Sequence, residues 1–301
     1  MTSIDRTRAL WALLSRRASS DPASFLSLIR RLGATDTTTI VHNFVDEHVG
    51  QHRAAAWECA VRDLEQIERL GGRFVIPGDP EWPADLLAAM SGVDATPESM
   101  RPAGLWVRGR ALNEVLRPAL AVVGARASSP YGEQVTAEVV AAATSRGWTI
   151  LSGGAYGVDV AAHRAALAAD APTVIVAAHG LDRAYPNEHR QIFEQVAQTG
   201  ALISEYPPGV RPVKANFLAR NRLIAALSDA LVVVEAGLRS GSTAAAARAY
   251  RFGRPVFAVP GPITSTTSRG CHELIATGRA RCVVGTEQLL AELSSSVSEP
   301  A

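Results

Sequence analysis

The amino-acid sequence predicts an α/β fold: a Rossmann-like, doubly wound and mostly parallel sheet preceded by a small helical domain. From Ala119 onward, short apolar runs rich in β-branched residues alternate with amphipathic segments of helical period, and glycine-containing loops join them. Such runs lack a polar face, which is typical of parallel strands covered by helices on both sides. The first 70 residues carry no run of this kind, so a separate helical unit is expected there.

Residues 1–70 are predicted to form three helices, which make either a SAM-like interaction domain or a structural cap on the main domain. Leu10, Leu13 and Leu14 repeat at helical spacing, and similar patterns cover residues 25–32 and 54–70. Glycine follows the second and third patterns, as expected at the C-terminal end of a helix.

Residues 71–118 are predicted to be a lead-in segment packed on the main domain. FVIPGDPEWPADLLAAM indicates a short strand, a proline-rich turn and a helix, and GLWVRG indicates a second strand. The Rossmann-like domain is predicted to span residues 119–295, and residues 296–301 to form a frayed tail. Its strands are expected in LAVVG, WTILSGG, TVIVAAHG, ALISE, ALVVVEAG and PVFAVPG.

Composition limits the class of protein. A hydrophobic content of 47% with 20% charged residues is typical of a soluble globular chain. The net charge of +1 means that any affinity for nucleic acid must come from local clusters of cations. Three cysteines without C-x-x-C spacing favour a reducing compartment and no zinc site, and no apolar run is long enough for a membrane span. We therefore expect a cytoplasmic protein without cofactor or metal.

The segment from Ser204 to Arg222 concentrates positive charge. It contains Arg211, Lys214 and two further arginines, and Lys214 is the only lysine in the chain. Phe217 lies among these cations just before a predicted helix. Cations that neutralise phosphates, a ring on which a base stacks and free helix N-terminal amides are the parts of a single-stranded nucleic-acid site. The alternative is an ordinary solvated, basic surface loop.

Five loops should meet at one edge of the sheet, because the carboxyl ends of parallel strands share an edge. Each loop is rich in glycine, hydroxyl or basic residues, and each is either a phosphate-binding nest or a routine tight turn. The loops are GARASSPYG, SGGAYGVD, the basic segment, EAGLRSGST and PGPITSTTSRG.

Other chemistries fit the sequence poorly. The glycine loop SGGAYG lacks the first glycine of a dinucleotide fingerprint, and no G-K-[ST] of a P-loop exists. Ser152 has no G-x-S-x-G elbow, and Asp159 is better explained as a helix-start carboxylate than as a catalytic group. His163, His179 and His189 match no zinc spacing.

Taken together, the motifs resemble those of the DNA-processing protein A (DprA/Smf) family over residues 73–284. They read VVGARASSPYG, SGGAYGVDVAAH, YPNEH, ISEYPPG, NFLARNRLIAALSDALVVVEAGLRSGST, GRPVFAVPG and GCHELIATGRA. The resemblance implies a homodimeric, non-enzymatic protein that binds single-stranded DNA and loads RecA recombinase onto it, in recombination or natural transformation. It also implies that the DNA-binding positions are Arg126, Gly153, Gly154, Lys214, Asn216, Phe217, Arg220, Asn221, Arg222, Gly241, Ser242 and Thr243, to which the loop analysis adds Ser240.

Two departures from the family pattern stand out. Tyr156 occupies the place where relatives commonly have an arginine, so a cation is lost and a stacking ring is gained; Tyr156 is therefore included among the expected DNA-binding residues. Many relatives continue into a C-terminal winged-helix domain, and a chain of 301 residues is expected to lack it.

Two alternatives to a DNA-binding protein stay open. One is a nucleoside-phosphate hydrolase of the lysine-decarboxylase-like group, although SGSTAAAARA has no glutamate where that group's P-G-G-x-G-T-x-x-E signature ends in its catalytic acid. The other is a sensor that binds a free nucleotide in the glycine loops. A dimer interface is expected near residues 273–293, with Cys282 and Val283 on a short strand.

Overall fold

The structure is a computed structural model that describes residues 5–21, 23, 53–90 and 100–298, with side chains up to Ser295. The helix expected over residues 25–32 lies outside the described residues. Of the tail expected to be frayed, residues 296–298 belong to the last helix and residues 299–301 lie outside the described residues. The helices expected around Leu10 and over 54–70 are present.

Eleven α-helices, one 3-10 helix (Asn187–His189) and nine strands lie within the described residues. The bounds of the α-helices and of the strands follow, each in chain order. The helices are α1 (Arg6–Ser20), α2 (Arg53–Arg69), α3 (Ala84–Ala88), α4 (Leu112–Val115), α5 (Pro130–Thr144), α6 (Val158–Ala168), α7 (Arg190–Thr199), α8 (Lys214–Ala226), α9 (Gly241–Arg251), α10 (Arg269–Ala276) and α11 (Thr286–Ser298). The strands are β1 (Gly72–Val75), β2 (Leu105–Gly109), β3 (Ala119–Val123), β4 (Thr149–Ser152), β5 (Thr173–Ala177), β6 (Ala201–Ser204), β7 (Ala230–Val233), β8 (Val256–Ala258) and β9 (Arg281–Cys282).

All nine strands form one sheet in the order β1-β2-β6-β5-β4-β3-β7-β8-β9. In this spatial order, every neighbouring pair from β6 through β9 is parallel. At the other edge, β1 pairs antiparallel with β2, and β2 pairs antiparallel with β6. The predicted α/β class with a mostly parallel sheet is confirmed. The lead-in segment contributes β1 and β2 to this same sheet.

Helices cover both faces of the sheet because alternate side chains of each strand point to opposite sides. In β3, Ala121 and Val123 pack in a core with α8 and α9, whereas Leu120 and Val122 pack in a core with α5 and α6. All of these strand side chains are fully or almost fully buried. This burial on both faces explains why the strands read as continuous apolar runs.

The N-terminal helices pack on the sheet through a third core. Leu14 of α1 and Ile67 of α2 are buried in it beside Phe74 and Trp106, whose rings stack with centroids 4.2 Å apart. α1 therefore lies directly against the half of the sheet formed by β1, β2 and β6. Within the described ranges, no helix has both the length and the apolar character that crossing a membrane requires.

The strand order reverses beside β3. From β3 the chain winds through β4, β5 and β6 in one direction, and β7 then returns to the other side of β3. The helix that follows β3 covers one face and the helix that follows β7 covers the other. The loops after these two strands therefore separate and leave a crevice, which is where open α/β sheets bind ligands.

Candidate nucleic-acid interface

A cleft of about 730 Å³ opens at the crevice between β3 and β7. Its walls come from the loops after β3, β4, β5 and β7 and from the first half of α8. Four of the five loops named from the sequence meet there: the basic segment, which contributes Pro212, and the loops after β3, β4 and β7. The fifth, Pro260–Gly270, does not line this cleft. It packs beside it, where the Tyr131 hydroxyl donates to Pro260 O (2.7 Å) and Gly270 N donates to Ala236 O (2.7 Å).

The basic segment forms helix α8 from Lys214 onward, and its two arginines point in opposite directions. Arg220 and Arg222 are two residues apart, which is about 200° around an α-helix. Arg220 lines the cleft, whereas Arg222 does not. The expectation that both arginines face DNA is wrong for Arg222 in this structure.

Arg222 is held in the interior by an ion pair. Its guanidinium is 2% exposed and donates to both carboxylate oxygens of Glu205 (2.9 Å for one of them) and to Met100 O (2.9 Å). Burial of this charge is tolerated because the partner carboxylate is equally enclosed and the donors are satisfied. Glu205 thus offsets one of the four cations of the basic segment.

Arg220 forms the floor of the cleft. Its Nη1 donates to Gly153 O (2.9 Å) and to Val176 O, and its Nε has no hydrogen-bond partner. Burial lowers the pKa of Arg220 to about 10, an effect that the nearby Asp159 carboxylate opposes. Arg220 therefore stays charged at neutral pH. Burial also raises the pKa of Asp159, against the opposing field of Arg220.

Phe217 stands above this floor with cations on two sides. Arg126 Cζ lies 5.2 Å and Arg220 Cζ 5.9 Å from the centre of its ring, and the Tyr185 ring lies 5.5 Å away. Arg126 and Tyr185 are exposed, and Phe217 is half-buried. Flat, partly exposed rings beside cations provide surfaces on which nucleic-acid bases stack.

The glycine loop supports the floor of the cleft. A Cβ on Gly153 would lie 2.7 Å from Arg220 Cζ, so only glycine leaves room for the buried guanidinium. Gly154 has a φ of +71° and its carbonyl bonds His189 Nδ1 (3.1 Å). The half-exposed Tyr156 lies outside the cleft, with its hydroxyl donating to Glu188 (2.9 Å) and its ring edge-on to His189.

The Ser-Gly-Ser-Thr stretch forms the start of α9. Ser240 and Thr243 make a reciprocal capping box, in which Thr243 N donates to Ser240 Oγ (3.1 Å) and Ser240 N donates to Thr243 Oγ1 (3.2 Å). Ser242 Oγ donates to Gly124 O (2.6 Å), and Asn221 Nδ2 donates to Gly241 O (3.0 Å). These bonds join α8, α9 and the loop after β3 into one wall.

The start of α8 differs from that of α9, because it has no side-chain cap. Val213 precedes the helix and offers no acceptor, and the first turn holds no acidic residue. The exposed Lys214 is its first residue, although a cation is unfavourable beside the positive end of a helix dipole. Asn216 N donates to Val213 O (3.0 Å), so the amides of Lys214 and Ala215, together with the lysine charge, make this end suited to an anion. Asn216, two residues on, is half-buried; its carboxamide reaches Arg211 O at 3.5 Å, and it does not line the cleft.

The lining of the cleft is strongly cationic. It includes Arg126, Lys214, Arg220 and Arg239, against the single carboxylate of Asp159. Tyr185 and Arg239 were not singled out from the sequence. Tyr185 lies in the YPNEH motif and Arg239 in the EAGLRSGST loop. Their positions after the predicted strands β5 and β7 could therefore have identified them as cleft residues.

Groups considered for catalysis or metal binding have structural partners. Ser152 Oγ is buried and donates to Val122 O (2.6 Å). His163 Nδ1 bonds Thr173 Oγ1 (2.8 Å), and His179 Nδ1 lies 3.0 Å from Gly180 O. Across the part of the chain that the structure describes, no group of three metal-binding side chains comes together.

The comparisons with known proteins agree with this architecture. The model of the family described as DNA recombination-mediator protein A matches residues 73–294. A DNA processing protein DprA of Mycobacterium tuberculosis is 47% identical over 281 residues, which cover 91% of this chain and 72% of the relative. The X-ray structure of DprA from Streptococcus pneumoniae superposes with a TM-score of 0.69 and 32% identity, covering 86% of this chain and 83% of that one.

A second solved structure, described as showing the single-stranded DNA binding mode of Helicobacter pylori DprA, superposes with a TM-score of 0.62 and 31% identity. It covers 69% of this chain and 92% of that chain. The family resemblance drawn from the motifs is thereby confirmed. The chain belongs to the DNA recombination-mediator protein A family, the DprA/Smf proteins.

Proposed function

We propose that this protein binds single-stranded DNA in the cleft between β3 and β7. The observation that carries the proposal is the lining itself: four cations against one carboxylate, with Phe217 and Tyr185 between them. Duplex DNA hides its bases, whereas a single strand presents both phosphates and flat base faces. A cationic cleft that contains partly exposed rings matches the single strand.

The parts of the cleft divide between the two kinds of contact. Phosphates are bound by Lys214, by the backbone amides at the start of α8 and by Arg126. Phe217 and Tyr185 stack on bases, and the buried Arg220 supplies a fixed positive charge below them. Because stacking accepts every base, we expect little sequence preference.

The proposal is tested by fluorescence anisotropy of a labelled oligonucleotide across a salt series. Each phosphate neutralised on a single strand contributes about −0.7 to the slope of log affinity against log salt. Lys214→Ala should weaken binding and make the slope shallower by roughly one such contact. Arg146→Ala is the matched control, because Arg146 is exposed and precedes β4, at the opposite edge of the sheet.

Two outcomes contradict the proposal. One is a wild-type protein that does not bind the oligonucleotide at low salt. The other is an equal loss of affinity in the Lys214 and Arg146 variants, which would mean diffuse attraction rather than a site. Competition by mononucleotides at similar concentration would favour a nucleotide sensor instead.

We further propose that the protein acts without catalysis, as a homodimer that loads RecA onto the bound strand. The family membership and the cationic cleft support this role. It is tested by the lag before RecA hydrolyses ATP on single-stranded DNA covered by a competing binding protein. Wild-type protein should shorten the lag and Lys214→Ala should not, and light scattering after gel filtration should give the mass of a dimer. An unchanged lag with wild-type protein would exclude the loading role.

A further inference from the structure

The segment that leads into the cleft helix is held by the N-terminal helix α1. Residues 205–213 connect β6 to α8. Within this segment, Glu205 O accepts a hydrogen bond from Ser15 Oγ (3.1 Å) and Pro208 O accepts one from Arg16 Nη2 (3.1 Å). Two consecutive residues of α1 therefore hold two points of the same connection.

Both α1 residues are themselves fixed. Ser15 is 1% exposed and accepts a hydrogen bond from Trp106 Nε1 (3.0 Å). Arg16 makes a bidentate ion pair with Asp63 of α2, through contacts of 2.6 Å and 2.5 Å. Two bonds to one carboxylate restrict the orientation of the guanidinium, so its third bond, to Pro208 O, has a defined direction.

Glu205 connects α1 to α8 through two contacts. Its carbonyl is bonded by Ser15, while its carboxylate pairs with Arg222 on the buried face of α8. The opposite face of the same helix carries Phe217 and Arg220 into the cleft. Because the pair is enclosed, a shift of the Glu205 backbone moves α8 rather than being absorbed by solvent.

We propose that Ser15 and Arg16 are positioning residues for the cleft, through which the N-terminal helices set the affinity for single-stranded DNA. The inference rests on the proposed function of the cleft. Neither residue lines the cleft, so both act through Glu205, Pro208 and α8. By thermodynamic linkage the coupling is reciprocal: DNA in the cleft must also stabilise the docked position of α1.

The test compares oligonucleotide affinities of full-length variants over a salt series. Arg16→Met and Ser15→Ala should each weaken binding by about 5-fold or more, within the range of ordinary coupling between sites. Their salt slopes should equal that of the wild type, because no phosphate contact is lost. Arg16→Lys keeps a donor and a charge, and should recover most of the affinity.

Arg17→Met is the matched control. Arg17 is adjacent in the same helix, its side chain is 45% exposed and it pairs with Asp21 at 3.5 Å. It should bind as the wild type does. A folded Arg16→Met protein with wild-type affinity overturns the inference, and so does a slope reduced by one phosphate contact, since Arg16 would then touch DNA itself.

If the variants do not fold, hydrogen exchange on the wild-type protein tests whether DNA in the cleft is coupled to the docking of α1. Saturating oligonucleotide should slow exchange of the α1 amides that open by undocking, and unchanged exchange in α1 overturns the inference. A wild-type protein that fails to bind the oligonucleotide removes the proposed function and this inference together. If the wild type binds the oligonucleotide and the Ser15 and Arg16 variants bind it equally well, only the inference about these two residues is contradicted.

Discussion

At the scale of single residues, the environment of each cation decides what it can contact. Lys214 and Arg126 are exposed at the mouth of the cleft, Arg220 is enclosed in its floor, and Arg222 is buried on the far side of α8 against Glu205. Only the first two can meet a phosphate without rearrangement of the protein. Arg222 instead links α8 to the connection after β6.

Replacement of Arg222 should therefore affect stability more than the electrostatics of binding. Arg222→Met leaves the 7%-exposed Glu205 carboxylate without its partner, and breaking a buried pair on one side costs about 3–5 kcal/mol. Urea denaturation should show this loss. The double variant Arg222→Met, Glu205→Gln should recover part of it, because no unpaired charge stays buried.

The folded fraction of Arg222→Met should keep the salt slope of the wild type. Normal stability combined with a shallower slope would contradict the buried position of Arg222 and return it to the DNA-binding surface.

At the scale of helices and strands, α8 shows what the sequence pattern can and cannot predict. Apolar β-branched runs located the parallel strands well, because burial on both faces leaves a continuous signature. They did not reveal which arginine of α8 faces the cleft, because that depends on the ion pair between Arg222 and Glu205, which lies 17 residues earlier in the chain. Nor did local pattern predict that β1 and β2 pair antiparallel with the edge of the sheet.

The uncapped start of α8 gives a prediction at this scale. Val213 is 51% exposed and has extended dihedral angles (φ −131°, ψ 154°), as an N-cap residue requires. Val213→Asp should stabilise the protein by about 1 kcal/mol, because the carboxylate caps the amides and favours the helix dipole. The same carboxylate should weaken DNA binding, because it occupies the amides and repels phosphate.

Val213→Ser separates the two effects. Serine caps without a charge, so it should stabilise the helix and weaken binding less than aspartate does. Thermal unfolding and anisotropy measured on the same samples provide the comparison. If Val213→Asp bound DNA as tightly as the wild type, the start of α8 would not be a phosphate site.

At the scale of the whole molecule, buried histidine couples stability to pH. The Thr173 hydroxyl donates to Ile150 O (2.9 Å) and so accepts from His163 Nδ1, which leaves the buried His163 Nε2 as an acceptor without a partner. Burial lowers the pKa of His163 to about 3. Burial also lowers the pKa of His179.

A lowered folded-state pKa means that stability is lost as pH falls. Below about pH 6.5 the unfolded chain protonates His163 while the folded protein does not, and the loss continues until about pH 3. Each such proton contributes a slope of up to about 1.4 kcal/mol per pH unit. His163→Asn keeps a donor toward Thr173. Between pH 6 and 4 it should take up nearly one proton fewer on unfolding than the wild type, which is measured as a shallower slope of unfolding free energy against pH. Equal slopes for variant and wild type would show that His163 is accessible to protons in the folded state.

The position of bound single-stranded DNA on the protein is tested most directly by photocross-linking. A single-stranded oligonucleotide containing iodouracil is irradiated with the full-length protein, and the modified peptides are identified by mass spectrometry. Adducts should map to the exposed Tyr185 and the half-buried Phe217 of the cleft, and Lys214→Ala should lower their yield. Adducts confined to other surfaces, or a yield unaffected by Lys214→Ala, would contradict single-stranded DNA binding in this cleft.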